Sequence, residues 1–290
     1  MQIIDGKKIA SDIKKELAAK SAAIIDKGDR APHLVAILVG EDSASQTYVN
    51  SKERDCKEVG FTSTIYRLDD DTPEAKLLEI INFLNNDDEV DGFIIQLPLP
   101  AHINVQKVIR SINPLKDVDG FHPVSLGRMM LGEPTYLPAT PFGIIQLLER
   151  CKIETSGKHC VVLGRSNIVG TPISVMLSRK ANPGNCTVTI CHTGTKNLKE
   201  IARTADILIA AMGQPHFVTA ELVKEGAVVI DVGIHRMADE SEKGYHIIGD
   251  VKFDEVAPKC SFITPVPGGV GPMTRVGLLI NTFKAYNKEV

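Results

Sequence analysis

The chain lacks the features that mark membrane and nucleic-acid-binding proteins. No apolar stretch in its 290 residues approaches the roughly 20 residues that a membrane span requires, and residues 1–7 lack the apolar core of a signal peptide. No basic run occurs and the formal net charge is −3, which argues against a sequence-independent grip on a polyphosphate backbone. We therefore expect a cytoplasmic protein without a membrane or nucleic-acid partner.

The sequence also lacks clustered metal ligands. Its six cysteines are scattered without a C-x-x-C pair, so neither a disulfide framework nor a zinc site is expected. No histidines have ligand spacing, although His122 and His192 are each candidates for a functional imidazole. Asp117 and Asp119 precede Gly120 as in an Asx-type turn, and two acids without further oxygen ligands hold a divalent ion poorly. We expect no metal.

What the sequence does contain is a regular alternation of elements. Hydrophobic residues make up 43% and charged residues 24%, as in a globular chain long enough for two domains. Apolar runs of strand length alternate with segments of helical period, which is typical of parallel βαβ units and predicts an α/β fold. Strands are expected at residues 34–39, 62–68, 92–97, 158–163, 186–191, 207–211, 227–232 and 245–248. Helices are expected at residues 7–27, 44–59, 73–85, 140–151 and about 273–286.

Residues 161–172 have the layout of a phosphate-binding loop, in which an apolar strand runs into a glycine loop that opens a helix. Glycines allow close approach to a pyrophosphate, and the helix N-terminus offers unpaired N–H groups. Arg165 suits the 2′-phosphate of NADP, and the next predicted strand ends at 192–194 without the acid that would hold the ribose of NAD. The alternative is a tight strand-to-helix turn that binds nothing.

Two further positions could carry chemistry. Tyr48 and Lys52 lie four residues apart on one face of a predicted helix, so that an amine beside a phenol is a candidate acid/base; a solvated surface lysine is the alternative. Gln96 stands at the carboxyl end of an apolar strand, where open α/β sheets bind ligands. Its alternative role is an amide satisfied by loop backbone.

Taken in order, these segments closely resemble the signature segments of bifunctional methylenetetrahydrofolate dehydrogenase/methenyltetrahydrofolate cyclohydrolase of the FolD type. The matching segments are Tyr48-x-x-x-Lys52, Gln-Leu-Pro-Leu-Pro at 96–100, Asp-Val-Asp-Gly at 117–120, the glycine loop at 164–172 and Pro-Val-Pro-Gly-Gly-Val-Gly-Pro-Met-Thr at 265–274. The resemblance covers essentially the whole chain.

The resemblance implies two successive reactions of one-carbon metabolism and purine biosynthesis. 5,10-Methylenetetrahydrofolate gives a hydride to NADP, and water then converts 5,10-methenyltetrahydrofolate to 10-formyltetrahydrofolate. It also implies two α/β domains with a cleft between them: residues 1–139 plus 272–290 form the folate-binding catalytic domain, and residues 140–271 the Rossmann-like NADP-binding domain. The C-terminal helix then returns to the first domain, and the protein is a homodimer.

The resemblance further implies a set of site residues. Lys52 is the catalytic lysine, Tyr48 positions the folate ring system, Gln96 hydrogen-bonds Lys52, and Asp119 holds the pyrimidine edge of the pterin. The remaining substrate-binding residues would be Leu97, Pro267, Gly268, Gly269, Val270 and Gly271. The cofactor-binding residues would be Gly164, Arg165, Ser166, Thr193 and Ile234.

Three alternatives stay open at this point. The chain could be a monofunctional methylenetetrahydrofolate dehydrogenase with little cyclohydrolase activity, a catalytically idle NADP-binding module, or another Rossmann oxidoreductase such as one acting on a shikimate-like substrate. One residue departs from the pattern: Arg275 stands where an apolar residue is expected, and the sequence offers no account of it.

Overall fold

The computed structural model describes residues 1–240 and 244–290 and divides into two compact units. One, here called the small-sheet unit, comprises Ser11–Ala139 and Arg275–Val290. The other, the large-sheet unit, comprises Met1–Ala10 and Thr140–Thr274. The sequence led us to expect residues 1–10 beside residues 11–139, but these amino-terminal residues belong to the large-sheet unit.

Strands and helices alternate over residues 2–95 and 159–210, as the sequence predicts, whereas three helices follow one another at 105–150 and three strands at 228–248. The strands are β1 (Gln2–Ile3), β2 (His33–Val39), β3 (Thr62–Leu68), β4 (Gly92–Ile95), β5 (His159–Leu163), β6 (Thr187–Cys191), β7 (Ile207–Ala210), β8 (Val228–Asp231), β9 (His235–Ala238), β10 (Tyr245–Ile248) and β11 (Phe262–Ile263). The helices are α1 (Gly6–Ile25), α2 (Ser43–Glu58), α3 (Glu74–Asn85), α4 (Val105–Arg110), α5 (Pro123–Leu131), α6 (Ala139–Arg150), α7 (Gly170–Ser178), α8 (Leu198–Ala202), α9 (Phe253–Val256) and α10 (Val270–Tyr286).

The small-sheet unit is built on a parallel sheet of order β3-β2-β4. The central strand β2 is buried from its second residue onward, as expected of a parallel strand covered on both faces. Its side chains pack with Leu77 and Ile81 of α3 and with Phe93 of β4. Strand β4 ends at Ile95, so Gln96 lies in the loop just beyond the sheet and not within the strand we predicted at residues 92–97.

The carboxyl-terminal part of α10 is fastened to the small-sheet unit by a buried amide. Asn281 is fully buried, and its Nδ2 donates to the carbonyl oxygens of Val118 and Leu137, both at 2.8 Å. Buried carbonyl groups require such donors. The contact also fixes the backbone immediately before Asp119.

The large-sheet unit contains a parallel sheet of order β1-β11-β8-β7-β5-β6. The short strand β1 pairs with β11, and this pairing is why the amino terminus joins this unit. The predicted strand at 245–248 forms, but it pairs antiparallel with β9 in a separate hairpin. The carboxyl ends of the parallel strands share one edge, where ligands of open α/β sheets bind.

Candidate active site

Helix α2 presents the predicted pair of side chains. The Asp42 carboxylate accepts from the Ser45 amide at 2.7 Å and caps the start of the helix. Tyr48 and Lys52 follow one turn apart on the same face. Lys52 is only 9% exposed and Tyr48 is half-buried, which excludes the solvated surface lysine left open by the sequence.

The Lys52 amine is held by Gln96. Lys52 Nζ donates to Gln96 Oε1 at 3.1 Å, and Gln96 Nε2 donates to the Leu97 carbonyl oxygen at 2.7 Å. The second bond commits the NH₂ group of the amide to the loop and leaves its oxygen facing the lysine. Both roles considered for Gln96 therefore occur together, because one end satisfies backbone and the other contacts the amine.

Burial sets the protonation behaviour of this cluster. Desolvation lowers the pKa of Lys52, while the nearby Asp119 carboxylate and Cys56 thiol raise it and Arg275 lowers it further. Burial raises the pKa of Asp119, and Lys52 opposes that effect. A poorly hydrated amine loses its proton more readily than a solvated one, so burial makes Lys52 better suited to accept a proton.

The two neighbouring aspartates have different environments. Asp117 is buried and accepts from Ser125 Oγ at 2.7 Å, the His122 amide at 2.8 Å and the Phe121 amide at 3.2 Å. It organises the turn, as an Asx-type reading predicts. Across the described residues, no hydrogen bond to the Asp119 carboxylate is found, and this side chain is half-buried. Asp119 therefore keeps its acceptor oxygens available for a ligand.

The two histidines singled out from the sequence serve local backbone structure. His122 Nδ1 accepts from the Val124 amide at 3.0 Å and caps α5. His192 Nδ1 accepts from the Gly194 amide at 3.1 Å. All six cysteines are free thiols. Within the described ranges, no group of three or more His, Cys, Asp or Glu could hold a metal ion, and no helix is both long and apolar enough to cross a membrane.

In the large-sheet unit, the glycine loop after β5 has no space for a side chain at its two glycine positions. Gly164 has φ +124°, and a Cβ there would lie 2.2 Å from the Ala211 carbonyl oxygen. A Cβ on Gly170 would lie 2.2 Å from the Gly164 carbonyl oxygen. The Ser166 hydroxyl accepts from the Gly170 amide at 3.3 Å and helps to cap α7, which leaves its own O–H free to donate.

The loop also fits a phosphorylated ribose. Leu163 of β5 and Cys191 of β6 are register partners, so Arg165 and Thr193, each two residues further on, follow neighbouring strand ends. Both side chains are exposed. An arginine and a hydroxyl in loops that follow neighbouring strands, with no carboxylate at 192–194, suit the 2′-phosphate of NADP.

A pair of buried aspartates, which our reading of the sequence missed, orders the next strand ends. Asp231 ends β8 and accepts from the Gly233, Asp250 and Val251 amides, each at 2.9 Å. Burial raises the pKa of Asp231 to about 7, against the pull of these donors. Ile234 directly follows Gly233, whose amide Asp231 holds, and its side chain is 46% exposed. A charged residue ending an apolar strand is the signal that could have revealed this pair.

Asp250 extends the same cluster. It is fully buried and accepts from the Met212 and Gly213 amides at 2.8 and 3.0 Å through Oδ2. Its Oδ1 contacts His235 Nε2 at 2.7 Å. The two carboxylates thus join the loops that follow β7 and β8, at the sheet edge where a dinucleotide would bind.

The glycine-rich segment at 265–274 packs against the amino terminus within the large-sheet unit. A Cβ on Gly6 would lie 1.9 Å from the Gly269 carbonyl oxygen, and the Lys7 amide donates to the Gly268 carbonyl oxygen at 3.0 Å. Gly268, Gly269 and Val270 are buried. Pro267 is exposed and Gly271 half-buried, so these two are the most accessible of the five predicted substrate-binding residues in this segment.

Comparison with known proteins identifies the family. A model described as "Tetrahydrofolate dehydrogenase/cyclohydrolase, catalytic domain" matches residues 4–119. A second, "Tetrahydrofolate dehydrogenase/cyclohydrolase, NAD(P)-binding domain", matches residues 138–290. The chain belongs to the tetrahydrofolate dehydrogenase/cyclohydrolase family.

Relatives within the tetrahydrofolate dehydrogenase/cyclohydrolase family match over their full length. The bifunctional protein FolD of Cytophaga hutchinsonii is 60% identical over 98% of this chain and 99% of its own. The solved structure of the bifunctional enzyme FolD from Campylobacter jejuni is 46% identical, with a TM-score of 0.93 and complete coverage of both chains. The Trypanosoma brucei dehydrogenase-cyclohydrolase, solved with NADP and an inhibitor, is 36% identical with a TM-score of 0.93, covering 99% of this chain and 97% of that one.

Membership of the tetrahydrofolate dehydrogenase/cyclohydrolase family confirms the predicted family and the predicted two-domain α/β fold. The structure brings together Tyr48, Lys52, Gln96, Leu97 and Asp119 in the small-sheet unit. It places the predicted cofactor residues and the 267–271 segment in the large-sheet unit. The individual roles of these residues are matters for proposal.

Proposed function

We propose that this chain is a bifunctional enzyme of one-carbon folate metabolism. It oxidises 5,10-methylenetetrahydrofolate to 5,10-methenyltetrahydrofolate with NADP, and hydrolyses that product to 10-formyltetrahydrofolate. The observation that carries the proposal is the buried Lys52 amine, which is hydrogen-bonded to Gln96 and interacts electrostatically with the Asp119 carboxylate. The full-length relatives described as bifunctional support it.

Lys52 supplies the base for hydrolysis. The methenyl carbon is electron-poor, and a water oxygen bonds to it while a water proton passes to the neutral amine of Lys52. Protonated Lys52 then gives its proton to N5 as the bond from this carbon to N5 breaks, and the hydroxyl proton passes to solvent, which leaves the formyl carbonyl. Proton transfer by a positioned base contributes about 10²–10⁴-fold to such a step.

The neighbours of Lys52 hold the substrate and the amine. Asp119 accepts from the amino-pyrimidine edge of the pterin, a directional contact between a carboxylate and paired donors. Tyr48 places its ring against the folate ring system, and Gln96 keeps the amine aimed by its bond at 3.1 Å. Leu97 adds apolar contact from the loop after β4.

The large-sheet unit binds the dinucleotide. Gly164 and Ser166 would hold the pyrophosphate, Arg165 and Thr193 would hold the 2′-phosphate, and Ile234 would border the nicotinamide. When bound, NADP supplies the nicotinamide carbon that accepts the hydride. In the glycine-rich segment, Pro267, Gly268, Gly269, Val270 and Gly271 would be the residues that contact the folate.

The two units correspond to two functional domains. The small-sheet unit is the folate-binding catalytic domain and the large-sheet unit the NADP-binding domain. The predicted bounds, 1–139 plus 272–290 and 140–271, differ from the two units at residues 1–10 and 272–274, which belong to the large-sheet unit.

The protein acts as a homodimer. Strand β6 (Thr187–Cys191) is an edge strand of the large sheet, has neither charge nor proline, and leaves Ile190 39% exposed. Charged residues and proline protect unpaired edge strands from association, so an edge strand that lacks both favours pairing with another chain. Sedimentation of Ile190→Lys should show monomers where the unsubstituted protein shows dimers; dimers in both would refute this interface.

The free thiols are in keeping with a reducing, cytoplasmic location.

Lys52→Met tests the assignment of the base. Methenyltetrahydrofolate hydrolysis should fall at least about 100-fold, because the water then lacks its proton acceptor. Hydride transfer, followed as NADPH absorbance in the same sample, should be affected less. Lys57→Met is the matched control, since Lys57 lies on the same helix with a side chain 68% exposed. Hydrolysis at the unsubstituted rate in Lys52→Met would refute the assignment, and no hydrolysis in the unsubstituted protein would favour a monofunctional dehydrogenase.

A further inference from the structure

Arg275, for which the sequence offered no account, forms a partly buried ion pair with Asp55 of α2, the helix that carries Lys52. Its Nε donates to Asp55 Oδ2 at 2.5 Å, and the Asp55 carboxyl is only 4% exposed. Lys14 Nζ approaches Asp55 Oδ1 at 3.3 Å and Glu58 Oε2 at 2.5 Å. Asp55 therefore anchors the Arg275 guanidinium, and Lys14 also pairs with Glu58.

The anchor lies on the catalytic face of α2. Asp55 follows Tyr48 by seven residues and Lys52 by three, which are spacings that bring side chains to one face of a helix. Helix α10 supplies Arg275 to this face. An arginine keeps its proton at every physiological pH, so the charge brought here is permanent.

We propose that Arg275, anchored by Asp55, is a positioning residue that places a fixed positive charge beside the Lys52 amine and the Tyr48 phenol. The proposal rests on the assignment of Lys52 as the base of the hydrolysis step. Arg275 acts on that step through Lys52 and does not touch the reacting atoms.

The charged groups around Lys52 explain why such a charge is useful. Desolvation lowers the pKa of Lys52, but Asp119 from the neighbouring loop and Cys56 from the same helix raise it. Arg275 from α10 opposes those two groups, whereas Gln96 is neutral and Lys14 of α1 is paired with Asp55 and Glu58.

The same cation acts on the phenol. Burial raises the pKa of Tyr48, and Arg275 lowers it. A base must be neutral before it accepts a proton, and a neighbouring cation disfavours the protonated amine. Arg275 therefore increases the fraction of Lys52 that is ready to act at a given pH.

The experiment compares pH profiles of methenyltetrahydrofolate hydrolysis in the full-length protein. Arg275→Gln should move the rising midpoint to higher pH and slow hydrolysis several-fold at pH values below it. Arg275→Lys keeps a cation at this place and should restore the midpoint toward its original value. Arg30→Gln is the matched control, because Arg30 forms an ion pair with Asp91 at 2.8 Å in the same unit, and its midpoint should stay unchanged.

Asp55→Asn provides a second, independent variant. It removes a negative charge but keeps an amide oxygen that can accept from Arg275 Nε, so that the guanidinium stays in place and the midpoint should not move to higher pH. A general loss of packing would instead slow both variants without regard to charge. An unchanged midpoint in Arg275→Gln, or an upward shift shared by Asp55→Asn, would overturn the proposal. Lys52→Met separates the two levels: if it abolishes hydrolysis while Arg275→Gln leaves the midpoint in place, only the role of Arg275 fails.

Discussion

Replacing Gln96 by glutamate tests the electrostatics of the catalytic lysine most directly. The two side chains have nearly the same size, but Gln96→Glu places a carboxylate 3.1 Å from Lys52 Nζ, where the neutral amide oxygen lies. It also removes the NH₂ group that donates to the Leu97 carbonyl oxygen at 2.7 Å. The substitution therefore adds an opposite charge beside the amine and leaves one carbonyl without its donor.

The expected magnitude follows from the distance. Two unit charges at 3.1 Å interact by about 5 kcal/mol at an effective dielectric constant of about 20. That energy corresponds to about 4 pKa units, at 1.36 kcal/mol for each unit. Because Gln96 is half-buried, water screens part of the interaction, and we expect the pKa of Lys52 to rise by about 2 units. A larger share of the lysine would then be protonated at any given pH, and hydrolysis below the midpoint would be up to about 100-fold slower.

The assay is the pH dependence of methenyltetrahydrofolate hydrolysis, followed by loss of methenyl absorbance, with NADPH formation measured in parallel. Gln96→Glu should move the rising midpoint to higher pH, so that activity recovers in alkaline buffer. Gln96→Met, which removes the hydrogen bond without adding charge, should slow hydrolysis without that upward shift. Equal midpoints for Gln96→Glu and the unsubstituted protein would refute the reasoning.

Three other substitutions test the surrounding architecture. Arg165→Ala should raise KM for NADP far more than KM for NAD, because only NADP carries the 2′-phosphate; equal effects in steady-state kinetics would contradict the assignment. Asn281→Ala leaves two buried carbonyl groups without donors and should lower the free energy of unfolding by about 2–4 kcal/mol, measured by urea denaturation, and a loss below about 1 kcal/mol would contradict it. Gly249→Ala would set a Cβ 1.9 Å from Asp231 Oδ2 and should weaken both stability and NADP binding. Gly127→Ala is the control and should change neither, because a Cβ there meets nothing within 4 Å. Unchanged NADP binding in Gly249→Ala would argue that Asp231 and Asp250 do not support the nucleotide loops.

Local patterns predicted most elements because their signals lie within a few neighbouring residues. The apolar run at 34–39 became the buried part of β2, and the glycine loop at 164–170 became a tight turn between β5 and α7. Strand ends were less accurate: β4 stops at Ile95, so Gln96 faces Lys52 from a loop. The pattern of apolar residues does not indicate where the ladder of a sheet ends.

Residue type alone could not distinguish side chains of the same chemistry. Asp117 and Asp119 are two residues apart, yet one is saturated with hydrogen bonds and the other keeps its carboxylate oxygens available for a ligand. Asp231 and Asp250 are far apart in the chain and meet only in the fold. Which donors surround a carboxylate depends on backbone segments distant in sequence.

The amino-acid sequence by itself determined the alternation of strands and helices, the glycine positions of the phosphate loop and the membership of a folate enzyme family, because each is encoded in short spacings. Only the tertiary structure decided the burial of Lys52, the partnership of Arg275 with Asp55 and the place of residues 1–10 beside β11. Desolvation and ion pairing depend on what the rest of the chain packs around a side chain, and no local spacing specifies that.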